Sequence, residues 1–291
     1  MLRTDFIPVP ELYPFESRWF DGPVGRMHYL DEGEGQPILL VHGNPTWSFL
    51  YRKLIPQLTA LGFRCLVPDL LGYGLSEHPR DFGFTAKEQV GALLALVQAL
   101  ELEDLIVMGQ DWGGPIGLGV AVRSPESIRG LVLGSTFAWR AGGITRCIGH
   151  VLRWGATQRW MIQGEGFIER VMGLARTNLT KQELSHYQLV AATPELRRAK
   201  AVLPRELLDA EDWLSELERD VVQRLSPLPT LVIHAKKDAF SGGTARRLGK
   251  MLPNHVVLVL PEAGHFFQED APREVARAIG ERFDPSRAAP G

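Results

Sequence analysis

The sequence predicts an α/β protein in which helices cover both faces of a mostly parallel central sheet. Short apolar runs, too brief for helices, alternate with amphipathic stretches along the chain. Turn residues separate the two kinds of segment. Such alternation is typical of parallel sheets that are buried on both faces. The length of 291 residues and the hydrophobic content of 45% allow one large core.

The predicted strands are all short and apolar. They cover Pro37 to Val41, Phe63 to Val67, Leu105 to Met108, Ile128 to Leu133, Thr230 to His234 and Val256 to Leu260. The predicted helices of this part carry apolar residues at helical spacing. They cover Trp47 to Leu61, Thr85 to Leu100, Gly113 to Val122, Thr244 to Met251 and Pro272 to Phe283. Thr85 and Glu88 have the spacing of a capping box, which marks the start of the second helix.

Between about Phe137 and Leu225 the pattern changes. No strand-like run occurs in this segment, and tryptophan, methionine and phenylalanine residues are interspersed with helix formers. Pro227 and Pro229 mark the return to the alternating pattern. We therefore predict a core domain formed by residues 1–136 and 226–291, and a helical cap domain formed by residues 137–225.

The charge balance restricts the class of partner. The chain has 32 basic and 34 acidic residues, a net charge of −2, and no lysine or arginine run. This predicts a small-molecule partner and neither nucleic acid nor a membrane surface. The first 14 residues lack the apolar core of a signal peptide, and no stretch approaches the roughly 18 apolar residues of a membrane-spanning helix. We expect a cytoplasmic protein and leave its oligomeric state open.

Asp111 stands where hydrolases place a nucleophile. It lies between Gly109 and Gly113, directly after a predicted strand. In a G-x-S-x-G elbow, the serine occupies a sharp strand-to-helix turn above the sheet, and the flanking glycines permit that turn. An aspartate in this position can displace a leaving group from a saturated carbon and form an ester. The alternative interpretation is a helix N-cap, a common place for aspartate.

Two more groups complete the order nucleophile, acid, histidine, which is that of a hydrolase triad. Both follow predicted strands, where parallel sheets collect ligand-binding groups. His265 is the candidate base. Asp238 is the candidate acid, whose carboxylate would orient the imidazole and stabilise its protonated form. Asp69 and Asp209 are weaker candidates for the same role.

Four motifs together resemble those of the haloalkane dehalogenases, a family of the α/β-hydrolase superfamily. They are His42 to Ser48, Pro68 to Ser76, Asp111 to Gly114 and Gly264 to Phe266. The resemblance covers essentially the whole chain and implies an α/β-hydrolase fold with a helical cap inserted after the sixth core strand. It also implies that the side chains of Asn44 and Trp112 bind the leaving halide. No metal or organic cofactor is expected.

The family places its catalytic acid after either the sixth or the seventh core strand. Residues 134–139, after the sixth strand, contain no carboxylate, so the resemblance assigns the acid to Asp238. The full set is similar to that of the subfamily that combines an Asp-His-Asp triad with an Asn-Trp halide pair. It consists of Asp111, Asp238, His265, Asn44 and Trp112.

The resemblance implies hydrolytic dehalogenation of small haloalkanes to a primary alcohol, a halide ion and a proton. Water activated by His265 would hydrolyse an alkyl ester formed on Asp111. Epoxide hydrolases share the aspartate nucleophile but protonate the leaving alkoxide with cap tyrosines, and the predicted cap contains only Tyr187. A luciferase-like oxygenase and a non-catalytic relative are further alternatives. A nucleotide-binding module is weaker, because the glycines after Trp112 miss the G-x-G-x-x-G spacing.

Overall fold

The computed structural model describes residues 3–164, 166–175, 179–239 and 243–284. These residues form one eight-stranded sheet. Its strands are β1 (Arg18–Asp21), β2 (Arg26–Glu32), β3 (Gln36–Val41), β4 (Phe63–Pro68), β5 (Leu105–Asp111), β6 (Ile128–Thr136), β7 (Thr230–Ala235) and β8 (His255–Leu260). The order across the sheet is β1-β2-β4-β3-β5-β6-β7-β8. β2 runs antiparallel to β1 and β4, and all other neighbours are parallel.

Helices connect and follow the parallel strands. They are α1 (Ile55–Thr59), α2 (Ala86–Ala99), α3 (Gly113–Ala121), α10 (Thr244–Met251), α11 (Phe267–Asp270) and α12 (Pro272–Phe283). A second group lies between β6 and β7. It consists of α4 (Gly143–Arg153), α5 (Gly155–Gln163), α6 (Phe167–Leu174), α7 (Lys181–Leu189), α8 (Pro194–Asp209) and α9 (Glu211–Asp220). The division into a core of residues 1–136 and 226–291 and a cap of residues 137–225 stays a prediction.

Successive side chains of β3 enter two different hydrophobic clusters. Ile38 and Leu40 belong to one cluster, and Leu39 and Val41 belong to the other. Because successive side chains of a strand point to opposite faces, both faces of the sheet are buried. The predicted mostly parallel sheet between helical layers is therefore confirmed.

The start of α2 has the capping box that the sequence predicts. The Thr85 side chain accepts a hydrogen bond from the Glu88 backbone, and the Glu88 side chain accepts one from the Thr85 backbone. Both halves of the predicted capping box are thus formed.

Among the described residues, no helix is long and apolar enough to cross a membrane.

The structure adds a hairpin to the prediction and divides one predicted helix. The hairpin of β1 and β2 is absent from the prediction, because its strands are only partly buried and carry no continuous apolar run. The predicted helix from Trp47 to Leu61 is divided into a 3-10 helix, Ser48–Tyr51, and α1. Pro56 lies in the first turn of α1, where a proline is tolerated, whereas it could not continue a preceding helix.

A buried charge cluster joins α7 to the segment before α1 and to α11. Arg52 contacts the carboxylates of Glu183 and Glu269, and Lys53 Nζ lies 3.0 Å from each of them. The hydroxyl of Tyr187 donates to Glu269 Oε1 at 2.5 Å. Two cations and two anions therefore face each other, which offsets the cost of burying Arg52 and the two carboxylates, while the Lys53 side chain is 34% exposed.

Candidate active site

The turn between β5 and α3 positions Asp111. The strand reaches three residues beyond its predicted end and stops at Asp111, and α3 begins at Gly113. The φ angle of Asp111 is 52°, in the left-handed region that side chains other than glycine rarely adopt. This is the sharp turn of a nucleophile elbow. Thr136, the last residue of β6, donates from Oγ1 to the Asp111 carbonyl oxygen at 2.6 Å and so ties the turn to the neighbouring strand.

The loop after β3 lies directly against the Asp111 carboxylate. The backbone N–H of Asn44 donates to Asp111 Oδ1 at 2.8 Å. Gly43 packs so closely that a Cβ atom on it would come within 2.5 Å of the same oxygen. The absence of a side chain at Gly43 therefore permits the backbone donor of the next residue to reach the carboxylate.

His265 lies between two carboxylates. Its Nε2 is 3.6 Å from Asp111 Oδ2, and its Nδ1 is 3.1 Å from Asp238 Oδ2. Burial by itself lowers the pKa of His265, but the hydrogen bonds and negative charges of Asp111 and Asp238 outweigh it and raise the pKa to about 9. The Asp238 side chain is completely buried, so its charge acts on the imidazole with little screening by water.

The other two candidate acids lie elsewhere. Asp69 accepts a hydrogen bond from His28 Nδ1 at 2.8 Å, and Asp209 forms an ion pair with Arg153. Of the three candidates, Asp238 is the one that contacts the imidazole. Within the described segments, no group of three or more His, Cys, Asp and Glu side chains could hold a metal ion.

The two predicted halide-binding residues flank Asp111. Trp112 follows it directly and is almost fully buried, with its ring edge-to-face against Phe137 at a centroid distance of 5.0 Å. Asn44 is half-buried, and its Oδ1 accepts a hydrogen bond from the Tyr73 hydroxyl at 3.0 Å. The structure thus brings all five predicted site residues to the carboxyl end of the parallel strands.

Three residues around the site are absent from the predicted set. Tyr73 and Thr136 are the residues that contact Asn44 and Asp111, and both follow or end a parallel strand, which is the signal that could have indicated them. His42 donates from Nδ1 to the Gly43 carbonyl, and its Nε2 accepts from a backbone N–H. Burial lowers the pKa of His42, so the ring is neutral and fixes the shape of the loop.

Comparison with known proteins gives the same class as the fold and the elbow. Residues 38–278 match the model of the alpha/beta hydrolase family. The chain is therefore an α/β hydrolase, and aspartate occupies the elbow position.

More similar relatives narrow this class. Haloalkane dehalogenase 2 of Mycobacterium tuberculosis is 44% identical over 286 residues, which cover 97% of this chain and 100% of that protein. The crystal structure of haloalkane dehalogenase DbeA from Bradyrhizobium elkani superposes with a TM-score of 0.84 at 26% identity, covering 94% of this chain and 100% of that chain. The chain belongs to the haloalkane dehalogenase family, as its motifs predict.

A shorter match points to a different chemistry. A cis-3-alkyl-4-alkyloxetan-2-one decarboxylase of Shewanella oneidensis is 42% identical over 131 residues. The match covers 44% of this chain and 41% of that protein. Part of the sequence is therefore shared with a protein whose name describes another reaction.

Proposed function

We propose that the protein hydrolyses the carbon–halogen bond of small haloalkanes and releases a primary alcohol, a halide ion and a proton. The observation that carries the proposal is the carboxylate of Asp111 at the elbow, with His265 Nε2 3.6 Å from one of its oxygens. An ionised carboxylate can attack a saturated carbon and become alkylated, and a nearby imidazole can activate water for the later hydrolysis. The names of the full-length relatives support the same activity.

In the first step, Asp111 attacks the halogen-bearing carbon from the side opposite the halogen. A carbon–oxygen bond forms, the carbon–halogen bond breaks, and the halide leaves with the bonding electrons. We assign the attack to Oδ2, because Oδ1 accepts the Asn44 backbone N–H. The side-chain N–H groups of Asn44 and Trp112 stabilise the departing anion, which is a weak base and needs no proton.

In the second step, His265 Nε2 removes a proton from water, and the hydroxide adds to the ester carbon of Asp111. Oδ1 takes up the negative charge, stabilised by the backbone N–H groups of Asn44 and Trp112. Collapse breaks the ester bond, and the alcohol oxygen takes the proton from the imidazolium. The carboxylic acid that remains then loses its proton to solvent. Asp238 holds the imidazole in the required tautomer throughout.

A trapping experiment tests this order of steps. His265→Phe removes the base of the second step and leaves the first step intact. We expect mass spectrometry of this variant, incubated with 1-bromobutane, to find an alkyl adduct on Asp111. A variant without adduct, although correctly folded, would contradict the covalent scheme.

The activity itself is tested by bromide release from short and medium 1-bromoalkanes and from 1,2-dibromoethane. We expect release by the wild-type protein and none by Asp111→Ala. A wild-type protein that releases no bromide from any of these substrates would refute the proposed function. Parallel assays with an epoxide, a cis-oxetan-2-one, and coelenterazine with oxygen would then distinguish an epoxide hydrolase, a decarboxylase and a luciferase-like oxygenase.

One contact favours dehalogenation over epoxide hydrolysis. Attack on an epoxide opens its ring and forms an alkoxide that needs a proton donor. In the predicted cap, Tyr187 is the tyrosine that could be this donor. Its hydroxyl instead donates to Glu269 inside the buried charge cluster. A hydroxyl engaged with a buried carboxylate is poorly placed to protonate a substrate.

We propose a cytoplasmic location on the sequence features given above. Cell fractionation with an antibody to the protein would test it. The oligomeric state is open to measurement by light scattering.

A further inference from the structure

The orientation of one amide decides whether Asn44 can bind a halide. The NH2 end of an asparagine side chain donates hydrogen bonds, whereas the oxygen end accepts them and repels an anion. The two ends exchange places when the amide turns by half a rotation, so a neighbouring group must select one orientation. In the structure the Tyr73 hydroxyl donates to Asn44 Oδ1 at 3.0 Å. The oxygen is thereby held on the side of Tyr73, and the NH2 group points elsewhere.

We propose that Tyr73 is a positioning residue of the halide site, whose hydroxyl holds the Asn44 amide with its NH2 group toward the halide. The inference rests on the dehalogenase function proposed above. The backbone of Asn44 is fixed independently, because its N–H donates to Asp111 Oδ1 at 2.8 Å. The backbone N–H and the side-chain oxygen of Asn44 both have partners within the protein. The NH2 group is therefore the part of Asn44 that donates a hydrogen bond to a ligand.

The surroundings of Tyr73 hold its ring in place. The ring is fully buried, and Lys200 Nζ lies 5.0 Å from its centre. Lys200 is also fully buried and donates to the Gly72 carbonyl at 3.1 Å. Gly72 has a φ of 82°, and a Cβ atom on it would collide with Ala199 and with the ring of Phe84. The glycine therefore lets α8 pack directly on the loop that carries Tyr73.

Helix α8 belongs to the segment between β6 and β7, so this support reaches the halide site from outside the parallel strands. The Ala199 carbonyl lies 3.2 Å from the Tyr73 hydroxyl and competes with Asn44 Oδ1 for its single hydrogen. Of the two contacts, the one to Asn44 Oδ1 is the shorter, at 3.0 Å.

The test compares two substitutions that each remove one buried hydroxyl. Tyr73→Phe removes the donor to Asn44. Tyr51→Phe is the matched control, since Tyr51 is also fully buried and donates to the Val41 carbonyl at 2.8 Å. Bromide affinity is measured by quenching of tryptophan fluorescence at constant ionic strength. The burst of bromide from 1-bromobutane gives the alkylation rate, and the decay of the alkyl-enzyme gives the hydrolysis rate.

For Tyr73→Phe we expect the bromide Kd to rise and the alkylation rate to fall by about three- to tenfold, the ratio that one net hydrogen bond supports. The hydrolysis rate should stay unchanged, because the halide takes no part in that step. If the Tyr73 hydroxyl had only a structural role, both variants would have a lower melting temperature, and their bromide Kd values would be equal. Equal Kd values in Tyr73→Phe and Tyr51→Phe would overturn the inference.

If Tyr73→Phe does not fold, NMR of the wild-type protein tests the predicted orientation of the Asn44 amide. The Asn44 side-chain NH2 signals, assigned by comparison with Asn44→Leu, should move on addition of bromide, and signals that stay fixed would overturn the inference. The two proposals fail differently. A wild-type protein that releases no bromide from 1-bromobutane refutes the dehalogenase function, whereas release combined with equal Kd values refutes only the role of Tyr73.

Discussion

Replacing Asp111 with asparagine should lower the pKa of His265 from its value of about 9. The imidazole lies between the carboxylates of Asp111 and Asp238, at 3.6 Å and 3.1 Å. Asp111→Asn removes one of the two charges and keeps the shape of the side chain. Because a nearby anion favours the protonated imidazole, its loss favours the neutral form.

The distance gives the size of the effect. Two unit charges 3.6 Å apart attract each other by about 1 kcal/mol in water and by about 4–5 kcal/mol at an effective dielectric constant of about 20. A pKa shift of one unit corresponds to about 1.4 kcal/mol. We therefore expect the pKa of His265 to fall by roughly 1–3 units in Asp111→Asn, into the range of about 6–8.

The same change accompanies the proposed reaction, because alkylation converts the Asp111 carboxylate into a neutral ester. His265 then loses a charged neighbour in the intermediate in which it must accept a proton, and only a neutral imidazole can do so. Hydrolysis of the alkyl-enzyme should therefore rise with pH to a plateau whose midpoint lies below the pKa of about 9 in the free enzyme. The hydrolysis rate rises with pH because protonation at low pH inactivates the imidazole base.

The assay is an NMR titration of the His265 ring signals in wild type and Asp111→Asn, with the exposed substitution Glu262→Gln as control. Single-turnover decay of the alkyl-enzyme across the same pH range gives the kinetic midpoint. A His265 pKa that is the same in wild type and Asp111→Asn would refute the electrostatic reasoning.

Three further substitutions test other parts of the structure. Asp238→Asn should leave the bromide burst in place and slow hydrolysis by up to about 10⁴-fold, since an amide cannot stabilise the imidazolium; an unchanged rate would exclude it as the acid. Glu269→Gln removes one anion of the buried charge cluster, and urea titration should show a free energy of unfolding about 3–5 kcal/mol lower. Glu262→Gln, an exposed control, should change it by less than about 0.5 kcal/mol, and equal effects of the two would contradict the burial argument. Gly43→Ala places a Cβ against the Asp111 carboxylate, so alkylation should slow by roughly 10²-fold, as a stopped-flow burst would measure.

Signals contained in short stretches of sequence determined much of this protein. The apolar run of β3 predicts a strand buried on both faces, and the Thr85 capping box predicts the start of α2, as found. The two glycines around Asp111 predict a sharp turn, and its φ of 52° agrees. These features follow from backbone geometry and local hydrogen bonding, which a few neighbouring residues suffice to specify.

The tertiary structure decided which distant residues meet. The sequence offers Asp69, Asp209 and Asp238 as candidate acids for His265, and the packing of β7 against β8 brings Asp238 to it. Nothing in the spacing of Asn44 and Tyr73 indicates that the Tyr73 hydroxyl lies 3.0 Å from Asn44 Oδ1, or that it also contacts α8, which lies far along the chain. Such contacts depend on the relative placement of whole elements, which burial of their combined apolar surfaces determines and no single segment encodes.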